Sequence, residues 1–235
     1  MATDRQGGAG TPWWRPRRTP LLVAPLTSWT LVVAGVVLFA GAAALVAGDV
    51  AGWDAALYRD LNEVPAALAT ILTPLSRLFL FGGLTVGAVL AVIYVVIRNR
   101  TALPVLIGAA AAIIAMVTAN LAKAVADRPR PYETVAHAIL RQQPAHGTSF
   151  PSSHTAVALA TAIALVPFMV RPVAVVAIVY AALVGWSRIY VGVHYPLDVL
   201  GGAGIGVAIG ALALLASERL LRGAHTSARP READP

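Results

Sequence analysis

Apolar side chains gather in six long runs along the 235-residue chain, and short polar segments separate these runs. The runs cover residues 29–47, 78–97, 103–125, 155–170, 173–186 and 197–215. A helix needs roughly 17–25 mostly apolar residues to cross the hydrocarbon core of a bilayer, and several runs reach that length. A β-barrel strand would alternate apolar and polar residues, which these runs do not do. The pattern therefore predicts an all-α, polytopic membrane protein with six transmembrane helices.

The segments around these runs predict the domain organisation. We expect a disordered basic tail over residues 1–28, a single transmembrane domain over 29–218, and a second disordered tail over 219–235. Between the first two runs, apolar side chains recur at helical spacing, at Trp53, Leu57, Leu61 and Val64. This spacing predicts an amphipathic helix that lies at the membrane interface.

Composition supports the membrane assignment and excludes some chemistry. The chain is 58% hydrophobic and only 12% charged, whereas charged residues make up about 25% of an ordinary soluble domain. It contains no cysteine, which excludes disulfides, thiolate catalysis and cysteine-ligated zinc. The net charge of +7 is explained by basic loops that orient the helices, so nucleic acid is not expected as a partner.

The basic residues also predict the orientation in the membrane. Six crossings place both termini on one side, together with the turns at 98–100 and 171–172. That side then holds Arg5, Arg15, Arg17, Arg18, Arg98, Arg100, Arg171, Arg219, Arg222, Arg229 and Arg231. Fewer lie opposite: Arg59, Arg77, Lys123, Arg128, Arg130, Arg141 and Arg188. The positive-inside rule makes the termini cytoplasmic and places the polar segments 127–153 and 187–198 at the extracytoplasmic rim.

Three polar segments meet at this predicted rim, where charged side chains next to apolar runs are costly. The first holds Lys123, the only lysine, and Arg130 between two prolines. The second is Pro151-Ser152-Ser153-His154. Ser152 is suited to cap the following helix, which leaves backbone N–H groups facing an anion. Each segment has an ordinary alternative, a lysine that snorkels to the interface or a plain helix cap.

The third segment runs from Ser187-Arg188 through His194 to Asp198. An arginine can donate two parallel hydrogen bonds to a phosphate. A histidine can act as nucleophile or general base, and a carboxylate four residues later can fix its tautomer. A polar loop that joins two membrane helices is the alternative interpretation of this segment alone.

In their order and spacing, the three segments resemble the signature of the type 2 phosphatidic acid phosphatase superfamily, and the resemblance spans about residues 50–215. It implies catalytic roles for His194 as nucleophile, Asp198 as its orienting carboxylate and His154 as general acid and base. It implies phosphate binding by Lys123, Arg130, Ser152, Ser153 and Arg188. The family usually has glycine at the position of Ser153, and a side chain there can crowd the backbone donor aimed at the phosphate.

The resemblance implies a membrane lipid phosphatase that works through a phosphohistidine without a metal or other cofactor. Phosphatidic acid, phosphatidylglycerol phosphate and a polyprenyl diphosphate are the expected substrate types. Three alternatives stay open at this point. A phosphotransferase would pass the phosphoryl group to an alcohol, a vanadium haloperoxidase shares the signature but is soluble, and a transporter would carry polar residues at mid-span.

Some residues have two interpretations in the sequence. Gly202, Gly206 and Gly210 mark a helix face that packs inside the bundle or, less favourably, pairs two chains as a homodimer. Arg128 either pairs with Asp127 or helps to bind phosphate.

Other residues are expected to have ordinary roles or to support the site. His137 and His146 are expected to be solvated loop residues. Asn120 either orients Lys123 or bonds to another helix. Tyr132, Tyr190 and Tyr195 are candidates to line the rim.

Overall fold

The structure, a computed structural model, describes residues 25–48, 51–78, 81–99 and 102–227. These residues form helices and no strand, so the all-α prediction is confirmed for them. The helices are α1 (Pro25–Ala47), α2 (Ala51–Asn62), α3 (Ala66–Leu78), α4 (Phe81–Asn99), α5 (Leu103–Ala126), α6 (Pro131–Thr134), α7 (Ser153–Leu165), α8 (Arg171–Tyr190) and α9 (Pro196–Ser227). Residues 1–24 and 228–235, which form most of the predicted tails, lie outside the described residues.

The first and last helices are longer than the sequence indicated. Helix α1 begins at Pro25, before the predicted boundary at residue 29. Helix α9 continues to Ser227, beyond the predicted end of the domain at residue 218. The added segment of α9 begins with Arg219, Leu220, Leu221 and Arg222, which all favour helix.

The fourth predicted helix ends earlier than the sequence indicated, whereas the fifth ends later. Helix α7 ends at Leu165 and a 3-10 turn follows over Val166–Phe168. Pro167 explains this end, because proline has no N–H to continue the α-helical ladder. Helix α8 runs on to Tyr190, so Ser187 and Arg188 lie in its last turn and not in the loop that the sequence predicted.

The predicted amphipathic helix is present as α2, but its buried face is the polar one. Trp53 and Leu57 are exposed, whereas Asp54, Tyr58 and Asn62 are fully buried at successive helical turns. Helix α3 was not predicted, because its sequence holds Pro74 and lacks a long apolar run. Polar groups of α2 are therefore turned toward the protein, where they contact the segments that the sequence marked as functional.

Helices α7 and α9 form the centre of the bundle. Helix α9 packs between α1 and α7, and α7 also packs against α5 and α8. The core where α5 meets α7 is built from alanines, among them Ala111, Ala115, Ala156 and Ala160. Small side chains allow the helix backbones to approach closely.

The glycine face of α9 is used inside this chain. Gly202, Gly206 and Gly210 all face α7, and a Cβ atom added at Gly206 would lie 2.7 Å from the carbonyl oxygen of Ala156. The packing interpretation is confirmed. Helix α7 covers these glycines in the described structure, and the suggested homodimer stays a prediction.

Large apolar side chains point outward from the bundle. At least about two thirds of the residue surface is exposed at Ile97, Leu121, Val125 and Val176. Such a surface suits lipid as its surroundings. Among the described residues, α1, α5, α8 and α9 are long and apolar enough to cross a membrane, while residues 89–99 and 153–168 form shorter apolar helices.

Candidate active site

The polar ends of four helices meet at one end of the bundle. They are the last turn of α5 with Lys123, the first turn of α7 with His154, the last turn of α8 with Arg188 and the first turn of α9 with Asp198. The backbone N–H of Ser152 donates to the carbonyl of Asp198 at 2.8 Å, which joins the starts of α7 and α9. The three predicted segments thus converge in space.

A tight turn after α8 brings His194 into this cluster. Gly192 has φ of 92°, and a Cβ atom there would lie 2.5 Å from the carbonyl oxygen of Ile139. Only glycine suits such a position, since it combines a positive φ with a close backbone approach. The turn is closed by hydrogen bonds from the N–H groups of Val193 and His194 to the carbonyl of Arg188.

Asp198 is placed to orient His194, as the sequence predicted. Its Oδ2 lies 3.4 Å from Nδ1 of His194 and accepts the backbone N–H of Tyr195 at 2.8 Å. A carboxylate that accepts an N–H three residues earlier at a helix start is half of a capping box. The start of α9 therefore fixes the carboxylate. The distance to His194 is long for a hydrogen bond, and it would allow an ion pair only when the ring carries a positive charge.

His194 is almost fully buried. Burial lowers the pKa of His194 to about 4, and the Asp198 carboxylate acts in the opposite direction. Lys123 and Arg130 also oppose a positive charge on the ring. The imidazole is therefore neutral near pH 7, the form with a free lone pair for nucleophilic attack.

Arg188 is buried, and most of its donors point at open positions. Its Nη2 donates to Oε1 of Gln142 at 2.9 Å. Its Nε and Nη1 have no hydrogen-bond partner among the described residues. Unpaired buried donors are costly and call for an explanation. An anion held between Arg188 and His194 would satisfy them.

Arg130 is also buried at the predicted place, but its donors are occupied. It donates to the backbone carbonyls of His146, Gly147, Thr148 and Val193 at 2.8–3.2 Å. An arginine has five N–H donors, so at most one stays open to a phosphate. The sequence predicted a phosphate clamp, whereas the structure shows a side chain that mainly holds the 146–148 loop.

In the share of its donors that stay open, Lys123 lies between Arg188 and Arg130. Its Nζ donates to the carbonyls of Thr148 at 2.8 Å and Ser149 at 3.0 Å. Since an ammonium has three donors, one remains. Lys123 therefore brings positive charge to the site and holds the same loop as Arg130.

The start of α7 fits the prediction in part. Ser152 occupies the N-cap position, but its side chain makes no cap hydrogen bond and instead accepts from the hydroxyl of Thr155. The hydroxyl of Ser153 donates to Oδ1 of Asn120 on α5 at 3.3 Å. Its side chain thus points at a neighbouring helix. Asn120 thus makes the helix-to-helix bond, and crowding of the phosphate donor by Ser153 stays a prediction.

His154 follows in the first turn of α7, mostly buried. Lys123, Arg130, Arg188 and His194 are all close enough to influence its charge. The structure thus brings the second predicted histidine to the same cluster as the first. His137 and His146 are both exposed, as predicted for loop residues.

Two residues next to the site were missed or left open. Arg128 donates to Oδ1 of Asp198 at 2.7 Å and to Oδ2 of Asp54 at 2.6 Å. It therefore pairs with neither of the two partners considered from the sequence. The only signal for Asp54 was its spacing with Tyr58 and Asn62 on α2, which marks a polar face.

Other polar residues hold the loops of the site. The amide of Asn62 donates to the carbonyls of Ile139 and Tyr190, and Arg141 donates to the carbonyls of Tyr190 and Asn62. Tyr190 and Tyr195 are buried, so they do not line the rim as the sequence suggested. Helix α2 is thus a structural part of the site.

Two histidines, a carboxylate and three cations thus meet at one end of a helical bundle, and these are the groups from which the sequence predicted phosphoryl transfer. The family model described as "PAP2 superfamily" matches residues 104–222. The chain belongs to this superfamily.

Curated relatives agree with this assignment. Undecaprenyl-diphosphatase BcrC of Bacillus subtilis is 45% identical over 85 residues, which are 36% of this chain and 42% of that protein. The chain thus matches less than half of the length of that relative. Decaprenylphosphoryl-5-phosphoribose phosphatase of Mycobacterium tuberculosis is 34% identical over 158 residues, which are 67% of this chain and 84% of that protein.

Two solved structures have the same fold. The structure of LpxE from Aquifex aeolicus has a TM-score of 0.56 and 29% identity, and the match covers 68% of this chain and 93% of that one. A phosphatidylglycerolphosphate phosphatase from Bacillus subtilis, described as PAP2 type, has a TM-score of 0.61 and 24% identity, covering 83% and 96%. The latter similarity concerns the fold alone.

Proposed function

We propose that the protein is a membrane lipid phosphatase that hydrolyses a phosphate monoester or diphosphate through a phosphohistidine. The observation that carries the proposal is the burial of His194 beside Asp198, at the same end of the bundle as Arg188, whose Nε and Nη1 have no hydrogen-bond partner among the described residues. A neutral nucleophile next to a preformed anion site is what phosphoryl transfer requires. Membership of the superfamily and the names of its relatives support the same reaction.

In the first step, Nε2 of His194 attacks phosphorus and the bond to the leaving oxygen breaks. His154 donates a proton to that oxygen, so the lipid leaves as an alcohol or as a lipid monophosphate. Asp198 balances the positive charge that develops on the imidazole of His194. Arg188, with one open donor each from Lys123 and Arg130, stabilises the charge on the phosphoryl oxygens.

In the second step, His154 takes a proton from water, and the water oxygen attacks phosphorus. The bond between Nε2 and phosphorus breaks, which releases inorganic phosphate and restores neutral His194. In both steps, side chains supply the positive charge that stabilises the phosphoryl oxygens. The mechanism therefore predicts that no metal ion is needed. Asp198, which lies beside His194, and Asp54 both pair with Arg128.

The relatives favour one substrate type among those predicted. Their printed names refer to undecaprenyl diphosphate and to a decaprenylphosphoryl sugar phosphate, which are both polyprenyl compounds. Polyprenyl-linked phosphates are therefore the first substrates to test for this chain. Phosphatidic acid and phosphatidylglycerol phosphate are the comparison substrates.

The proposed topology places six helices across the membrane: α1, α4, α5, α7 with its 3-10 turn, α8 and α9. The termini are cytoplasmic and the site lies at the extracytoplasmic rim. The convergence of the α5 and α8 ends with the α7 and α9 starts supports this arrangement, since it puts all four on one side. A basic tail before α1 and another after α9 complete the proposed domain plan.

The topology can be tested by labelling single cysteines, because the chain has none of its own. Gln143→Cys lies in the loop beside the site and Arg171→Cys lies at the opposite end of α8, and both positions are exposed. In intact cells, a membrane-impermeant maleimide should label Gln143→Cys and spare Arg171→Cys. The reverse result would contradict the proposed orientation.

The mechanism is tested by His194→Asn, with His137→Asn as the matched control. His137 is exposed at φ of 62°, a conformation that asparagine tolerates. His194→Asn should abolish phosphate release from a polyprenyl diphosphate in detergent and prevent trapping of a phosphoenzyme. His137→Asn should keep both, and EDTA should not reduce the activity. Full activity of folded His194→Asn rejects the mechanism, and strict dependence on added Mg²⁺ rejects its metal-free form.

A further inference from the structure

Arg128 connects the proposed catalytic carboxylate to a second carboxylate that comes from α2. Its Nη1 donates to Oδ1 of Asp198 at 2.7 Å and its Nη2 donates to Oδ2 of Asp54 at 2.6 Å. The side chains of Asp54 and Asp198 are completely buried, and that of Arg128 is only 12% exposed. Buried charges persist only when they are paired and hydrogen-bonded.

The remaining oxygen atoms of the two acids are also used. Oδ1 of Asp54 accepts the N–H of Leu197 at 3.1 Å, and Oδ2 of Asp198 accepts the N–H of Tyr195 and faces His194. Both carboxylates thus hold the first turn of α9. The guanidinium of Arg128 lies 4.1 Å from the centre of the Tyr195 ring, which limits its movement.

We propose that Asp54 and Arg128 are positioning residues, which act on His194 through Asp198. This inference rests on the proposed function of His194 and Asp198. Arg128 holds Oδ1 of Asp198, so that Oδ2 is the oxygen presented to the histidine ring. Asp54 has a separate electrostatic role.

The electrostatic role follows from counting the charges. Arg128 alone would neutralise Asp198 and leave little negative charge to stabilise a cationic His194. With Asp54 present, the two acids and one guanidinium keep a single net negative charge. That charge opposes Lys123 and Arg130, which face His194 from the other elements of the site. Asp54 therefore keeps Asp198 effective as the partner of the phosphorylated imidazole.

Asp54→Asn tests this role without removing the side chain. The amide retains an oxygen for the N–H of Leu197, but an NH2 group replaces the second oxygen, so the variant loses both the negative charge and the acceptor for Nη2 of Arg128. The variant should lower kcat by about 10- to 100-fold, the range usual for loss of an orienting partner, with KM nearly unchanged. Asp60→Asn, on an exposed position of the same helix, is the matched control and should keep the wild-type kcat.

Two variants, Arg128→Gln and Arg128→Lys, test the role of Arg128 between Asp54 and Asp198. The glutamine variant removes the charge between two buried acids and should lower kcat at least as much as Asp54→Asn. Lysine keeps the charge but cannot fork onto two carboxylates, so it should restore part of the loss. Each variant is compared by thermal unfolding in detergent, and kcat is expressed per folded protein.

A non-additivity test separates positioning from general destabilisation. In an Asp198→Asn background, Asp54→Asn should cause less than a twofold further change in the remaining kcat, since the group through which it acts is already lost. An equal loss in both backgrounds overturns the proposal, as does a wild-type kcat of Asp54→Asn. If His194→Asn remains active, the proposed function itself fails; if His194→Asn is inactive while Asp54→Asn is normal, only this inference fails.

Discussion

The two sides of the site use the same residue type in different ways. On the α8 side, Arg188 makes one hydrogen bond and leaves Nε and Nη1 open. On the α5 side, Arg130 makes four hydrogen bonds to backbone carbonyls. Both arginines are buried, so burial alone does not distinguish them. Arg188 therefore has donors available to a ligand, whereas Arg130 mainly supports the loop beside the site.

The largest expected effect concerns Arg188. Arg188→Gln should lower kcat by about 10²–10³-fold, as is usual when a donor to a developing oxyanion is lost. Its stability should change little, because the unpaired buried donors of Arg188 contribute little to folding. Phosphate release and thermal unfolding are measured on the same preparation. Arg171→Gln, at an exposed position of the same helix, is the control.

Arg130→Gln should have a smaller effect on chemistry and a larger one on stability. It leaves several backbone carbonyls of the 146–148 loop and Val193 with fewer donors, and each buried unsatisfied group costs about 1–3 kcal/mol. The apparent Tm should therefore fall more than for Arg188→Gln, while kcat of the folded protein falls only about tenfold, as when one positioned donor among several is lost. If Arg130→Gln instead lowers kcat more and Tm less than Arg188→Gln does, the distinction between a loop-supporting Arg130 and a ligand-binding Arg188 is wrong.

Ser153→Gly should have the smallest effect. The hydroxyl of Ser153 bonds to Asn120 and not toward the phosphate site. Its loss should therefore change kcat and KM less than twofold, with a stability change of about 1 kcal/mol or less for an exposed hydrogen bond. Asn120→Ala, which removes the same bond from the other side, should give the same result. A severalfold gain in kcat for Ser153→Gly alone would mean that the serine does crowd the donor.

The site residues that the sequence identified are those that lie close together in the chain, within one segment. His194, Arg188 and Asp198 are close in the chain, and the same is true of Lys123 with Arg130 and of Ser152 with His154. Their juxtaposition across segments followed from the alternation of apolar runs, which puts helix ends on common sides. The helix positions were predicted only in part: α3 was missed, α1 and α9 proved longer, Pro167 ended α7 early, and Ser187 and Arg188 proved to be helical.

The partners of Arg128 could not be predicted in this way. Asp54 is 74 residues away in the chain, and a pairing between distant single residues leaves no periodic pattern. The occupied donors of Arg130 were missed for a related reason. Every residue has a backbone carbonyl, so the residue types do not show which carbonyls accept hydrogen bonds. The sequence therefore could not show that the donors of Arg130 are occupied by the 146–148 loop.

The position of Asp54 has a consequence for how the protein is assembled. Helix α9 packs against α1 and α7, while Asp54 of α2 holds the first turn of α9 by accepting the N–H of Leu197. During synthesis, Asp54 and Arg128 are made before the residues of α9. The network of Asp54, Arg128 and Asp198 can therefore be completed only after the start of the last helix has been made.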